Sequence, residues 1–142
     1  MISLLASALL AQSFAKVLLH ASVLHRHGIR TPCTEWPGDQ SNAKFANVEP
    51  GLGQLTPVGA TEVKRVGAQL RQRYVATHGL LSGDYVSSEW YSRSTHVDRT
   101  LQSANALLQG VYPWPASGSL RPVLIYFSVN FMTLFSTYLM IN

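Results

Sequence analysis

Twice in this chain a short strand-like run ends in polar residues that carry arginine, and that repetition limits the folds open to it. The first run is residues 16–24, followed at once by His25-Arg26-His27-Gly28. The second is residues 85–92, followed by Arg93-Ser94-Thr95. The first, mostly apolar run suits a strand buried in a parallel sheet, and the second is a further strand candidate. A helix is predicted after each. Over residues 55–74, Thr56 suits the N-cap and Pro57 the first helical position. Val63, Val66, Leu70 and Tyr74 form one apolar face, with Lys64, Arg65, Arg71 and Arg73 toward solvent and Gly79 as the stop. The other helix is capped by Ser94 or Thr95, buries Val97, Leu101, Ala104 and Leu108, and ends at Gly110. Residues 31–54 predict a long loop. The β–loop–α–β–α order predicts an α/β fold, a parallel sheet flanked by helices. Ligands of such sheets bind beyond the carboxyl ends of the strands, so both arginine clusters are candidate sites.

Composition narrows the partners. The chain has 142 residues, the size of one domain. It is 46% apolar and 13% charged, which excludes a wholly disordered chain. The formal net charge of +4 suits an anionic ligand. Its 11 lysines and arginines are scattered, which argues against nucleic acid as the partner. Cys33 is the single cysteine, so no internal disulfide can form and no zinc-ligand spacing exists.

The chemistry concentrates in Arg26-His27-Gly28-Ile29-Arg30-Thr31-Pro32. Arginine presents a planar fork of donors that matches phosphate oxygens and stays protonated at any working pH. Flanking cations disfavour an imidazolium at His27, and a neutral imidazole can act as a covalent nucleophile. Read from spacing alone, the same residues also suit a loop histidine between surface arginines. Arg93-Ser94-Thr95-His96-Val97-Asp98-Arg99-Thr100 opens the second helix, where backbone amides favour an anion. A phosphate held between Arg26, Arg30 and Arg93 is the arrangement that two convergent strand ends would allow.

These segments carry a resemblance. The run from Leu24 to Pro32 contains the Arg-His-Gly-x-Arg-x-Pro pattern of the histidine acid phosphatases. Gly53-Gln54-Leu55-Thr56-Pro57-Val58-Gly59 resembles the segment that opens their next helix. Arg93-Ser94-Thr95, with Asp98-Arg99-Thr100-Leu101-Gln102-Ser103-Ala104, resembles their third-arginine motif. Order and spacing agree for all three, over residues 16–115, and the likeness is closer to the lysosomal and prostatic type than to the phosphoglycerate mutase branch. The resemblance implies a phosphoglycerate mutase-like sheet flanked by helices. It also implies His27 as nucleophile, with phosphate bound by Arg26, Arg30 and Arg93. The implied activity is hydrolysis of phosphate monoesters, small-molecule or protein, at acidic pH with no metal and no cofactor. Family members carry a downstream His-Asp pair whose aspartate protonates the leaving group. No His-Asp dipeptide occurs here and the last histidine is His96. Residues 16–122 are therefore expected to be the N-terminal part of such a domain. A non-catalytic phosphate-binding fragment or pseudoenzyme is the alternative. Asp98 is a poor substitute acid, because a helix N-terminus favours its ionised form.

The two ends bear on location. Residues 1–15 resemble a secretory signal peptide, with Ser13-Phe14-Ala15 as a small-x-small cleavage site. A buried first strand or helix is the other reading. The signal predicts the secretory pathway, with a secreted or lysosomal destination. Residues 123–141, from Val123 to Ile141, hold no charge and exceed the roughly 18 residues of a membrane span. Ser128, Asn130, Thr133, Ser136 and Thr137 interrupt them. A membrane anchor, a β-rich buried segment and a non-homologous truncation tail are the three readings.

Overall fold

A computed structural model describes residues 17–45, 51–113, 125–128 and 136–141. The expected signal segment lies outside them. The elements in chain order are β1 (Ala21–Arg26), α1 (Asn42–Phe45), α2 (Pro57–Arg71), β2 (Trp90–Thr95), α3 (Asp98–Val111), β3 (Tyr126–Ser128) and β4 (Ser136–Ile141). α2 runs directly into a wider π-helical stretch, Gln72–Thr77.

The strands form one sheet in the order β1-β4-β2-β3. β3 is parallel to β2, and β4 is antiparallel to both β1 and β2. β1, β2 and β3 therefore share one direction, as the α/β pattern predicts, with a single strand running against them. Only residues 129–135 separate β3 from β4, too few for the crossover that a parallel return needs. The uncharged stretch 123–141 thus supplies two strands within its described residues. Among the described residues no helix is long and apolar enough to cross a membrane.

Both early strands lie later in the chain than periodicity indicates. β1 begins at Ala21 and continues through His25 and Arg26, which pair with Thr137 and Ser136 of β4. β2 begins at Trp90, because the preceding turn is held by its own polar contacts. There the Glu89 carboxylate accepts from the Ser82 amide and hydroxyl, both at 2.7 Å.

α2 begins as expected. Thr56 caps it, its hydroxyl accepting from the Gly59 amide at 3.0 Å, and Pro57 follows. Gly79 ends the helical run in a left-handed conformation, with φ +59°. The apolar face differs from the expected one. Val63 and Tyr74 are buried, but Val66 is exposed and Gly67 is buried in its place. The reason is the crossing with α3. A Cβ on Gly67 would collide with the Leu107 carbonyl, and one on Gly110 with the Lys64 carbonyl. The two backbones touch there, and only glycine permits that approach. Gly110 is accordingly a packing residue inside α3 and does not end it. Nor does Ser94 or Thr95 cap α3. Both belong to β2, and Val97 stands at the cap position with no side-chain bond. Thr100 supplies the local contact instead, its hydroxyl 2.6 Å from the Val97 carbonyl. Arg71, expected in solvent, donates to the Val111 and Gly83 carbonyls at 2.8 and 2.9 Å, tying the end of α3 to the turn before β2.

α2 packs on α3, and α3 packs on β2 and β4. The core between them centres on Val63, Tyr74, Trp90, Leu107 and Val111. This stack holds the carboxyl end of β1 beside the N-terminus of α2.

Candidate active site

β1 ends at Arg26, and the chain turns through His27 and Gly28 into a segment whose backbone groups are almost all engaged. The Gly28 amide donates to Ser103 Oγ at 3.1 Å. The Ile29 carbonyl accepts from both the amide and the hydroxyl of Thr56, each at 2.9 Å. The Thr31 amide donates to the Gln54 carbonyl at 3.0 Å, and the Gly53 amide to the Pro32 carbonyl at 2.7 Å. The expected loop 31–54 is therefore closed at its base, sealed by a bridge between Arg30 and Leu55. A Cβ on Gly28 would sit 2.6 Å from the Gly59 carbonyl oxygen, so α2 presses directly against this turn. Such a turn is held before any ligand arrives, which is what catalytic positioning requires.

His27 is half-buried, and its Nδ1 lies 2.8 Å from the Gly28 carbonyl oxygen. A carbonyl only accepts, so Nδ1 carries the proton and Nε2 keeps its lone pair. Burial lowers the pKa of His27 first. The bond to Gly28 opposes this, and the charges of Arg26, Arg99 and Arg30 lower it further. The imidazole stays neutral and nucleophilic further into acid than an ordinary histidine does.

Arg26, His27, Gly28, Ile29, Arg30, Thr31, Pro32 and Thr56 line one open depression of about 730 Å³. Arg30 spends one Nη on the Thr31 carbonyl at 2.8 Å, while its Nε is buried with no hydrogen-bond partner. A buried donor left in this state is satisfied by an incoming anion. An adjoining cavity of about 390 Å³ shares Arg30 and Pro32 and carries Trp36 and Cys33 in its wall.

Arg93 is not among the residues lining the depression. It lies inside β2, opposite Tyr138 of β4, whereas Arg26 lies opposite Ser136. Arg93 is thus set back about 7 Å from the edge where Arg26 stands, two residues along the strand. β4 also separates the strands that carry the two arginines. Arg26 and Arg30 share the depression with His27, and Arg93 stands two residues further back along its own strand.

Two residues of the site were missed from sequence. Arg99, given no role from the sequence, reaches the Gly53 carbonyl at 3.4 Å, and its charge bears on His27. Ser103 carries the Gly28 amide. The sequence signals were their place in the segment that follows Arg93 and their i, i+4 spacing on α3. Among the described residues no group of three or more His, Cys, Asp or Glu is arranged to hold a metal ion.

The histidines carry a stability consequence. The pKa of His25 is lowered mainly by burial, against the bond from Nδ1 to the Arg26 carbonyl at 3.0 Å. For both His25 and His27 the folded value lies below the ordinary 6.5, so the unfolded chain takes up protons first. Stability present above about pH 6.5 is then lost as pH falls toward the lowered values. Urea unfolding is expected to show a smaller free energy at pH 5.0 than at pH 7.5, with a shallower decline in His25→Gln. A flat profile would contradict this.

The chain matches known proteins over this region. The family profile described as histidine phosphatase superfamily (branch 2) matches residues 17–119. Testicular acid phosphatase of Mus musculus is 43% identical over 103 residues, which is 72% of this chain and 24% of that protein. Lysosomal acid phosphatase of Rattus norvegicus is 42% identical over 100 residues, 70% of this chain and 22% of that protein. The chain thus spans about a quarter of the length of these relatives. Among solved structures, the Klebsiella sp. ASR1 phytase superposes with a TM-score of 0.59 at 28% identity, over 79% of this chain and 28% of the phytase. The Citrobacter braakii phytase gives 0.61 at 23% identity, over 80% and 27%, a likeness of fold alone.

Proposed function

Because the chain belongs to branch 2 of the histidine phosphatase superfamily, we propose that its site takes up a phosphate monoester and passes the phosphoryl group through His27 to water. Nε2 attacks phosphorus, the P–O ester bond breaks, and the released oxygen takes a proton. Water then attacks the phosphohistidine and inorganic phosphate leaves. Arg26 and Arg30 bind the phosphoryl oxygens and offset their charge. Arg93 is the third phosphate ligand in this reading, and its support is the motif order alone.

The observation that carries the proposal is the Nδ1 bond of His27 to the Gly28 carbonyl at 2.8 Å, which leaves Nε2 unprotonated on the depression that both arginines line. The adjoining cavity beside Trp36 gives the leaving group room. Among the described residues no Asp or Glu lines the depression, and Glu35 and Asp39 line the adjoining cavity, so the reading favours leaving groups that depart without a proton. Phenols do this readily and alcohols do not. The same observation favours a second reading, in which the site binds phosphate without turning substrate over. The substrates are small-molecule or protein phosphate monoesters. The setting is the secretory pathway, secreted or lysosomal, with residues 1–15 as the leader; lysosomal acid phosphatases among the relatives support it.

The test is hydrolysis near pH 5 of p-nitrophenyl phosphate and of glycerol phosphate. The aryl ester is expected to turn over, and the alkyl ester on the order of 10²- to 10⁴-fold more slowly, the usual worth of a general acid. Binding of inorganic phosphate with no release from either ester would select the second reading.

A further inference from the structure

Ser103 lies on α3, 75 residues beyond Gly28, and is 0% exposed. Its hydroxyl donates to the Arg99 carbonyl at 2.6 Å and accepts from the Gly28 amide at 3.1 Å. A serine inside a helix often bonds back to the carbonyl four residues earlier, and that contact alone is structural. The second contact reaches out of the helix to the residue after His27. The one hydroxyl proton is committed to Arg99, so Oγ presents a lone pair toward Gly28 in a fixed direction.

We propose that Ser103 is a positioning residue for His27, acting through the His27–Gly28 peptide that it holds; the inference rests on the phosphoryl-transfer reading above. Glycine is the residue with the greatest backbone freedom, and here it directly follows the nucleophile. It must be glycine, because Gly59 leaves no room for a Cβ. Packing bounds it on that side, and Ser103 anchors its amide. The anchored peptide fixes ψ of His27 and the place of the Gly28 Cα, and packing against Gly59 limits the turn into the next peptide, whose carbonyl is the one that Nδ1 reaches. Loss of the hydroxyl frees the peptide, weakens the Nδ1 bond and lets the imidazole exchange tautomers. The Nδ1-unprotonated tautomer puts hydrogen on Nε2, where attack on phosphorus requires a lone pair.

The test uses the full chain with Ser103→Ala and Ser103→Cys, the second keeping the side-chain volume but accepting hydrogen bonds poorly. With p-nitrophenyl phosphate, kcat per folded molecule is expected to fall about 10- to 100-fold in both, while KM stays within about twofold. In parallel, ¹⁵N-histidine spectra near pH 7.5 report the tautomer of His27, assigned by comparison with His27→Ala. The wild type is expected to hold the proton on Nδ1, and both variants to show a mixture. Unchanged kcat and an unchanged tautomer in Ser103→Cys would overturn the proposal, as would lost folded fraction with kcat per folded molecule intact. If the wild type turns over no ester, the phosphoryl-transfer reading fails, and the tautomer spectra still decide whether Ser103 sets His27.

Discussion

His27→Ala is expected to reduce hydrolysis of p-nitrophenyl phosphate by about 10⁴-fold or more, the scale seen when a covalent nucleophile is removed. The variant keeps Arg26 and Arg30, and the imidazole supports none of the turn's backbone bonds to Gln54, Thr56 or Ser103. Inorganic phosphate should therefore still bind, within a few-fold of the wild type. Trapping of the phosphorylated protein separates the two roles. The wild type mixed with labelled ester and quenched in base should retain phosphate in an acid-labile bond, and His27→Ala should retain none. Residual hydrolysis above a tenth of the wild-type rate would remove His27 from the role of nucleophile. The depression would then be a binding site only.

The second large effect concerns stability, and its sign is the informative part. Alanine in place of glycine inside a helix ordinarily stabilises by about 1 kcal/mol. At Gly110 the added Cβ would strike the Lys64 carbonyl and approach the Ala68 nitrogen to 2.7 Å and the Gly67 Cα to 2.8 Å. All three are backbone atoms, which cannot rotate aside as a side chain does. The helices must separate, and the contacts of Leu107 and Val111 with Val63 loosen with them. Overpacking of this kind costs about 1–3 kcal/mol, enough to reverse the helix preference. Gly110→Ala is expected to lower the melting temperature by about 5–10 °C on the size scaling of small domains. An unchanged or raised melting temperature would show that the helices do not meet at these glycines. Activity should fall with stability, because α2 and α3 support the His27 turn from two sides.

What was legible in the sequence was local. Thr56 and Pro57 start α2, and Gly79 stops the helical run, because caps depend on a few consecutive residues. The cluster from Arg26 to Pro32 stood out because two arginines and a histidine fall within five residues at a predicted strand end. The misses are all long-range. Nothing near Gly67 or Gly110 distinguishes a crossing point from a weak helix position or a stop, since only the partner helix decides. Val66 fits the helical period and is exposed because the crossing at Gly67 turns it outward. The hydroxyl of Ser103 reads as one more small helix residue until Gly28 is placed beside it. Arg93 lies within its strand rather than beyond its end for two connected reasons. The strand starts at Trp90, which moves Arg93 off its end, and β4 inserts between the strands expected to converge.

That insertion governs the order in which the molecule can assemble. Among the described residues β1 pairs only with β4, a partner more than a hundred residues along the chain. α2, α3 and β2 meet through much shorter loops, and short loops close first. The edge that presents His27 is therefore the last part of the sheet to acquire its neighbour. The helical pair supports the turn that carries His27, whereas the strand leading into that turn gains its sheet partner only with β4. Any anion that occupies the depression in turn stabilises the finished state over its late intermediates by simple mass action.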